Sequence, residues 1–281
     1  MKKILFFETK EFTGATRVSH TLAKAANTMY KVAFAQVGDN INADIESAIE
    51  AEEPDILFSS FIRINSDVIE IGKKHGLYVI IRNDYNLGDI NEETCVRALH
   101  AYPMADEIIA QTKEMRDDLV SVLDIEPYKV RVIDNPLDEE DILEKAKESN
   151  PFHDNGFFHF LWVGRKDPIK DLATLQKAFE IVHHSYPDAD LTLISEDPNP
   201  YRWMQNADCL VISSKSEASP NVLREALFLR IPVVSTDCSP TVRKLLNDNS
   251  IAQVGNPNDL ANKMIAVIKM SELLLVLLVL L

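Results

Sequence analysis

Short apolar runs alternate with longer amphipathic stretches along the first half of the chain. The runs are only a few residues long, and each is followed by a stretch in which apolar residues recur at helical spacing. Such runs are typical of strands that are buried on both faces of a parallel sheet. The pattern therefore predicts an α/β protein with a doubly wound parallel sheet. Its strands are predicted at residues 4–7, 32–37, 56–60, 78–82, 107–111 and 130–133.

The alternation starts again after a polar interruption. Residues 139–156 are dense in charge, Asn and Pro, with room for one short helix, and are predicted to be a linker. We therefore expect a first domain over residues 1–138 and a second domain over residues 157–270. The strands of the second domain are predicted at residues 157–164, 191–194, 209–214 and 232–236.

Composition and charge narrow the class of protein. With 281 residues, of which 46% are hydrophobic, the chain can bury the cores of two ordinary domains. The formal net charge of −15, from 29 basic and 44 acidic residues, argues against nonspecific binding to nucleic acid or anionic lipid. The three cysteines are far apart and form no C-x-x-C pair, so a reducing cytoplasm is the expected compartment.

The two chain ends are both apolar but lead to different predictions. At the N-terminus the apolar run ends at Phe7 and charges follow at once, which favours a first strand over a signal peptide. The tail, residues 271–281, contains an unbroken Leu/Val run from 273 that is too short for the roughly 20 residues of a spanning helix. The tail is open to three interpretations: a core helix, a truncated or altered chain end, or an anchor at the inner face of a membrane.

A candidate anion site follows the predicted strand at residues 209–214. Ser219 is predicted to cap a helix, with Pro220 at its first position. The amides of Asn221 and Val222 would then point out of the helix N-terminus beside the carboxyl end of a strand. Such amides, with the positive end of the helix dipole, suit a phosphate group.

Two glutamates, one before this helix start and one inside the helix, are separated by seven residues. The segment Glu217-Ala-Ser-Pro-Asn-Val-Leu-Arg-Glu225-Ala resembles the E-x7-E signature of the retaining family-4 glycosyltransferases of the GT-B fold. The resemblance implies two Rossmann-like domains that face each other across a crevice. It also implies that the helix amides hold the donor's diphosphate, that Glu225 takes the ribose hydroxyls and that Glu217 approaches the donor sugar. Without this setting, Glu225 would be interpreted as part of a solvated helix face.

A second match to the same family precedes the first. The segment Gly164-Arg165-Lys-Asp-Pro-Ile-Lys170-Asp resembles the family's G-R-x4-K-G, with Asp171 in place of the last Gly. The resemblance implies that Arg165 and Lys170 reach the diphosphate. The alternative is that both are surface cations paired with nearby Asp residues. The order and spacing of the two matches favour the binding role.

The first domain offers two further candidates. Gly14 lies at a predicted strand-to-helix turn, where the family often has a G-G-A-like loop near the sugar and acceptor, and Thr13 replaces the first Gly. Asp84 follows the fourth strand and would lie at its carboxyl end, where ligands bind in doubly wound sheets. It is a candidate contact to the sugar or acceptor. The alternatives are that Gly14 only permits a tight turn and that Asp84 is only a loop or cap residue.

Two pairs of potential metal ligands are not expected to form a metal site, and one segment is shorter than in the family. Asp188 and Asp190 form a D-x-D, but they precede a strand and lie at the end opposite the expected ligand site. His183 and His184 face different directions on their helix, which makes a poor shared metal site. Residues 195–206 are much shorter than the family's usual segment, which includes a strand and the loop that holds the nucleotide base.

The resemblance implies a retaining glycosyltransferase that needs neither metal nor cofactor. Its co-substrate would be a nucleotide-diphospho sugar, and its acceptor a glycan or a lipid-linked glycan. The alternative is a shortened, catalytically weak homologue that binds nucleotide or glycan as a partner subunit; a sugar-nucleotide epimerase is a more distant alternative. Donor sugar, base and acceptor are left open by the residues.

Overall fold

The computed structural model describes residues 1–10, 13–152, 156–195 and 197–280, with side chains described to residue 274. Residues 153–155 of the predicted linker and Leu281 of the predicted tail lie outside the described residues. The chain divides into two compact units, Met1–Leu137 and Asp138–Leu281. Each unit is built on one parallel sheet with helices between its strands. The prediction of two α/β domains with parallel sheets is confirmed.

The first domain contains a six-stranded sheet in the order β2-β1-β3-β4-β5-β6. All of the predicted strands are present in it, with small changes at their ends. Leu5, Phe7 and Leu57 are completely buried, because helices cover both faces of the central strands. The strands are β1 Lys3–Thr9, β2 Lys31–Val37, β3 Ile56–Ser59, β4 Tyr78–Arg82, β5 Glu107–Ala110 and β6 Val130–Val132. The helices are α1 Gly14–Ala26, α2 Ile41–Glu52, α3 Ile62–Lys74, α4 Glu92–Ala101 and α5 Lys113–Val122.

The second domain contains a five-stranded sheet in the order β11-β10-β9-β7-β8. Its first four strands in sequence were predicted. The fifth has only two residues, too few to leave an apolar pattern. The strands are β7 Phe158–Val163, β8 Ala189–Ile194, β9 Cys209–Ile212, β10 Val233–Thr236 and β11 Ile251–Ala252. The helices are α6 Glu139–Ala146, α7 Leu172–Ser185, α8 Tyr201–Asn206, α9 Asn221–Phe228, α10 Pro240–Leu245 and α11 Pro257–Leu280.

Part of the segment predicted as a linker is helical. Helix α6 buries Ile142 and Ala146 and packs against α8. The side-chain amide of Asn199 donates to the carbonyl of Lys145 at 3.0 Å, which fixes the two helices to each other. Helix α6 therefore belongs to the compact unit of the second domain.

The last helix changes character along its length. Leu260, Met264 and Ile268 of α11 are buried in the core of the second domain. Leu273 and Leu274, which begin the Leu/Val run, are 59% and 55% exposed. Within the described part of the chain, no helix combines the length and apolar character that a membrane span requires.

Candidate functional site

Several candidate residues of the second domain lie in loops that leave one edge of its sheet. Strands β10, β9 and β7 are neighbours and all run parallel. Because the carboxyl ends of parallel strands meet at one edge, the loops after β7 and β9 lie side by side there. The first loop carries Arg165 and Lys170, and the second carries Glu217.

An ion pair joins these two loops. The ammonium group of Lys170 donates to the carboxylate of Glu217, and the hydroxyl of Ser214 donates to the same carboxylate oxygen at 2.7 Å. The two charged side chains are only 20% and 14% exposed, so water screens the pair only in part. The amide of Glu217 donates to the carbonyl of Cys238 at 2.9 Å, and Cys238 lies in the loop after β10. Glu217 is thus held at its carboxylate by Lys170 and Ser214 and at its backbone by Cys238.

Backbone contacts fix the same two loops. The amide of Lys215 donates to the carbonyl of Ile169 at 2.7 Å. The hydroxyl of Ser213 donates to the carbonyl of Lys170, also at 2.7 Å. Lys170 is therefore held at its backbone as well as at its ammonium group.

Asp171 explains why the turn after Lys170 tolerates a residue other than Gly. Its φ of 47° and ψ of 53° lie in the left-handed region, which Gly adopts freely and Asp adopts more readily than most residues. The side chain also caps α7, because its carboxylate accepts hydrogen bonds from the amide and the hydroxyl of Thr174 at 3.4 and 2.8 Å. The departure from the family's Gly is therefore compatible with the same turn.

We expect Asp171→Ala to destabilise the second domain by about 1–2 kcal/mol, because Ala loses the cap and is strained at positive φ. Asp171→Gly should cost about 1 kcal/mol less, because Gly has no strain there. Asp138 is the control, since it caps α6 at a φ of −86°. Urea unfolding followed by the fluorescence of Trp162 and Trp203 reports on this domain. If the Ala and Gly variants differ in unfolding free energy by the same amount at positions 171 and 138, Ala is not strained at position 171.

Helix α9 begins one residue later than predicted. Pro220 occupies the N-cap position with extended backbone, φ −66° and ψ 114°, and the helix starts at Asn221. The prediction that Ser219 caps this helix is wrong. Ser219 is buried, and its hydroxyl oxygen accepts a hydrogen bond from Thr241 at 3.3 Å. The amides of Asn221 and Val222 still lie in the first turn, at the positive end of the helix dipole.

Glu225 lies one turn inside α9 and is only 3% exposed. The hydroxyl of Tyr201, the first residue of α8, donates to its Oε1 at 3.4 Å. The alternative interpretation of Glu225 as part of a solvated helix face is therefore wrong. A buried carboxylate needs hydrogen-bond partners, and Tyr201 is one of them.

Arg165 is exposed in the loop between β7 and Lys170. Its carbonyl accepts a hydrogen bond from the amide of Asp167 at 2.9 Å, which tightens the turn. Gly164 precedes it and lies against the ring of Trp162, where an added Cβ would come within 3.1 Å of the ring. This Gly is explained by the close approach to Trp162.

Gly14 and Asp84 belong to the first domain. Gly14 is the first residue of α1, which Thr13 caps by accepting a hydrogen bond from the amide of Thr16. The preceding residue, Phe12, lies outside the described residues. Asp84 is partly buried just after β4. Burial lowers the pKa of the neighbouring Arg82 to about 10, and the negative charge of Asp84 opposes that shift.

Three residues of the second-domain site carried no separate sequence signal. They are Ser214, which binds Glu217; Tyr201, which binds Glu225; and Cys238, whose carbonyl accepts from the amide of Glu217. Burial raises the pKa of the Cys238 thiol to about 11, and the charge of Glu217 adds to the shift. The thiol is therefore protonated at neutral pH.

The acids and histidines that imitate a metal site are used elsewhere. Asp190 pairs with Nδ1 of His159 at 2.8 Å. Nδ1 of His183 lies 3.1 Å from the carbonyl oxygen of Ala189. Across the described ranges, no three His, Cys, Asp or Glu side chains are grouped so that they could hold a metal ion.

The second domain is similar to a known protein family. Residues 158–270 match the family described as Glycosyl transferases group 1. The match covers most of the second domain. The matched residues include Arg165, Lys170, Glu217 and Glu225, so all four lie inside the matched region.

Two curated relatives are also glycosyltransferases by name. An uncharacterized glycosyltransferase of Methanocaldococcus jannaschii is 27% identical over 176 residues, which are 52% of this chain and 43% of that protein. The N-acetylgalactosamine-N,N'-diacetylbacillosaminyl-diphospho-undecaprenol 4-alpha-N-acetylgalactosaminyltransferase of Campylobacter jejuni is 30% identical over 184 residues, which are 57% of this chain and 50% of that protein. The alignments thus span about half of each relative.

The fold has close counterparts among solved structures. Anabaena HepE, solved in complex with UDP and glucose, superposes with a TM-score of 0.76 at 14% sequence identity, covering 97% of this chain and 91% of that chain. At this identity the likeness concerns the fold alone. The two parallel-sheet α/β domains identify the fold as GT-B.

Proposed function

We propose that this protein is a retaining glycosyltransferase that moves a sugar from a nucleotide-diphospho sugar to a glycan or lipid-linked acceptor, without a metal ion. The observation that carries the proposal is the pairing of Lys170 with Glu217 beside the first turn of α9. A cation, a fixed carboxylate and a helix N-terminus then share one sheet edge. These groups suit a diphosphate with a polyhydroxylated sugar attached to it.

The positive groups would act on the leaving diphosphate. As the bond between the anomeric carbon and the phosphate oxygen breaks, its electron pair passes to that oxygen. We propose that Arg165, Lys170 and the α9 amides stabilise the growing charge, and stabilisation of this kind is often the largest catalytic term. The acceptor oxygen forms the new bond on the same face of the sugar, and its proton passes to the departing phosphate oxygen.

The two glutamates would bind different parts of the donor. Glu217 is held by Lys170 and Ser214 at the sheet edge, which suits contact with the hydroxyls of the donor sugar. Glu225 lies one turn deeper in α9 and suits the two ribose hydroxyls. In the first domain, Asp84 and the turn at Gly14 are the candidates for contact with the sugar and acceptor.

The names of the compared proteins support this choice of substrates. Anabaena HepE was solved with UDP and glucose, and with UDP-glucose. The Campylobacter jejuni relative is named for an acceptor linked to diphospho-undecaprenol. We therefore propose UDP-sugars as the first donors to test and diphospholipid-linked glycans as the first acceptors.

The decisive experiment combines binding with turnover. Thermal shift against UDP-, GDP-, ADP- and dTDP-sugars finds the donor, because a ligand at 100 times its dissociation constant stabilises the folded state by about 2.7 kcal/mol. The same donor is then supplied with lipid-linked and free glycan acceptors, and the anomeric configuration of the product is determined by NMR. Retention supports the proposal. Binding without transfer or hydrolysis would favour a binding subunit instead.

Turnover is expected to survive EDTA. The proposed site neutralises the diphosphate with Arg165, Lys170 and helix amides, whereas Mg²⁺ usually binds through carboxylates and substrate phosphates. We expect the rate in excess EDTA to stay close to the untreated rate. Added Mg²⁺ provides the control. A complete loss of activity that Mg²⁺ or Mn²⁺ restores would contradict a metal-independent reaction.

A further inference from the structure

The short segment between β8 and β9 is organised around one carboxylate. Asp197 accepts hydrogen bonds from the amide of Asn199 at 2.8 Å, from Arg202 at 2.9 Å and from the indole of Trp203 at 2.8 Å. These contacts close the chain into a compact turn that leads directly into α8. Residues 197–203 are therefore held by a defined set of hydrogen bonds.

Tyr201 is the part of this segment that reaches α9. Its amide donates to the side chain of Asn199 at 3.1 Å, and its side chain is 4% exposed. Its hydroxyl donates to Oε1 of Glu225, which is 24 residues away in the sequence. Both groups are buried, so the contact is shielded from competing water.

We propose that Tyr201 is a positioning residue for the nucleoside end of the donor site. Its hydroxyl fixes the carboxylate of Glu225 so that this group can accept hydrogen bonds from both ribose hydroxyls. The inference rests on the proposed function, because it presupposes that Glu225 meets a ribose. It adds a residue and a selectivity, ribose over 2′-deoxyribose, to that function.

The acceptor capacity of the carboxylate allows this arrangement. An ionised carboxylate offers about four acceptor positions, and the hydroxyl of Tyr201 uses one of them. In the proposed arrangement, two others accept from the two ribose hydroxyls. Loss of the Tyr201 hydroxyl removes one of the groups that orient the carboxylate, so we expect it to face both ribose hydroxyls less consistently.

Ribose selectivity is the measurable consequence. A 2′-deoxynucleotide lacks one donor and leaves part of a buried, charged acceptor unpaired, which costs affinity by about tenfold or more. The selectivity requires a carboxylate that is held in a single orientation. A carboxylate free to rotate should discriminate poorly, even if the domain is fully folded.

The test is calorimetric titration of the full chain and of Tyr201→Phe. Wild type is titrated with UDP, GDP and ADP, and the tightest of these is then compared with its 2′-deoxy form. We expect wild type to prefer the ribose form by about tenfold and Tyr201→Phe by about threefold or less. Tyr186→Phe is the matched control, because Tyr186 packs against the core of the same domain; it should keep the wild-type ratio.

Further variants connect the effect to Glu225. In a Glu225→Gln background, adding Tyr201→Phe should change the ratio little, because the two residues act as one unit. Tyr201→His keeps a ring and supplies an N–H donor, so it should restore part of the preference. Thermal melting of each variant shows that it is folded.

Three other outcomes would contradict either the inference alone or the proposed function as well. If Tyr201→Phe keeps the wild-type ratio, Tyr201 only supports the packing of α8, and the inference is wrong. If wild type binds a nucleoside diphosphate but does not distinguish ribose from 2′-deoxyribose, the inference is wrong while the proposed function stands. If wild type binds no nucleoside diphosphate, both are wrong.

Discussion

Arg165→Ala is expected to lower kcat by about 10²-fold or more, while the affinity for the nucleoside diphosphate falls much less. The reason is that Arg165 would stabilise charge that grows only as the bond to the diphosphate breaks, so its loss affects the transition state more than the bound donor. The size follows from the removal of single donors to developing oxyanions. The measurement is product formation under saturating donor, beside calorimetric binding of the diphosphate.

Lys166 supplies the control, since it is the adjacent exposed cation of the same loop. Lys166→Ala should leave kcat within about threefold, because an exposed charge is screened by water and salt. Lys170→Ala should resemble Arg165→Ala and should also release Glu217, with which Lys170 is paired. If wild type binds a nucleotide sugar without turnover, and Arg165→Ala weakens only that binding, the protein is a binding module.

Glu217→Gln is expected to lower kcat, whereas Glu225→Gln should mainly raise the KM for the donor. Glu225 would contact the ribose, far from the reacting bond, and so contributes equally to ground state and transition state. Glu217 would contact the reacting sugar, and its substitution also leaves Lys170 and Ser214 without a charged partner. Initial rates over a range of donor concentrations separate the two effects. We expect at least a tenfold change in each affected constant, on the scale of one charged hydrogen bond.

Glu180→Gln on the exposed face of α7 controls for the loss of a carboxylate in the same domain and should change neither constant. The assignment of separate roles requires that the two site variants differ in kind. A shared kinetic pattern, or no effect from either, would show that the glutamates have other roles.

Most of the fold could be predicted from local pattern alone. A strand buried on both faces must be apolar at successive positions, and Leu5 and Phe7 show why: both are completely buried. Strand β11 escaped prediction because two residues cannot form a pattern. Helix α6 was anticipated only as one short helix in a linker; its burial depends on α8, more than fifty residues later in the chain.

The start of α9 shows how far local rules reach. Ser-Pro before a helical run predicts a Ser cap with Pro at the first position. Pro220 instead has an extended ψ of 114°, and the hydroxyl of Ser219 is taken up by Thr241. The competing partner comes from the next helix of the domain, which no window around Ser219 contains.

The sequence by itself determined the α/β class, the succession of strands and helices, and which residues follow the carboxyl ends of β7 and β9. These depend on side-chain periodicity and turn chemistry, which are properties of neighbouring residues. Only the tertiary structure decided that Lys170 pairs with Glu217, 47 residues away, and that Tyr201 meets Glu225. Those contacts depend on the order of strands in the sheet, which brings distant loops together, and the burial that makes them strong exists only once the domain is packed.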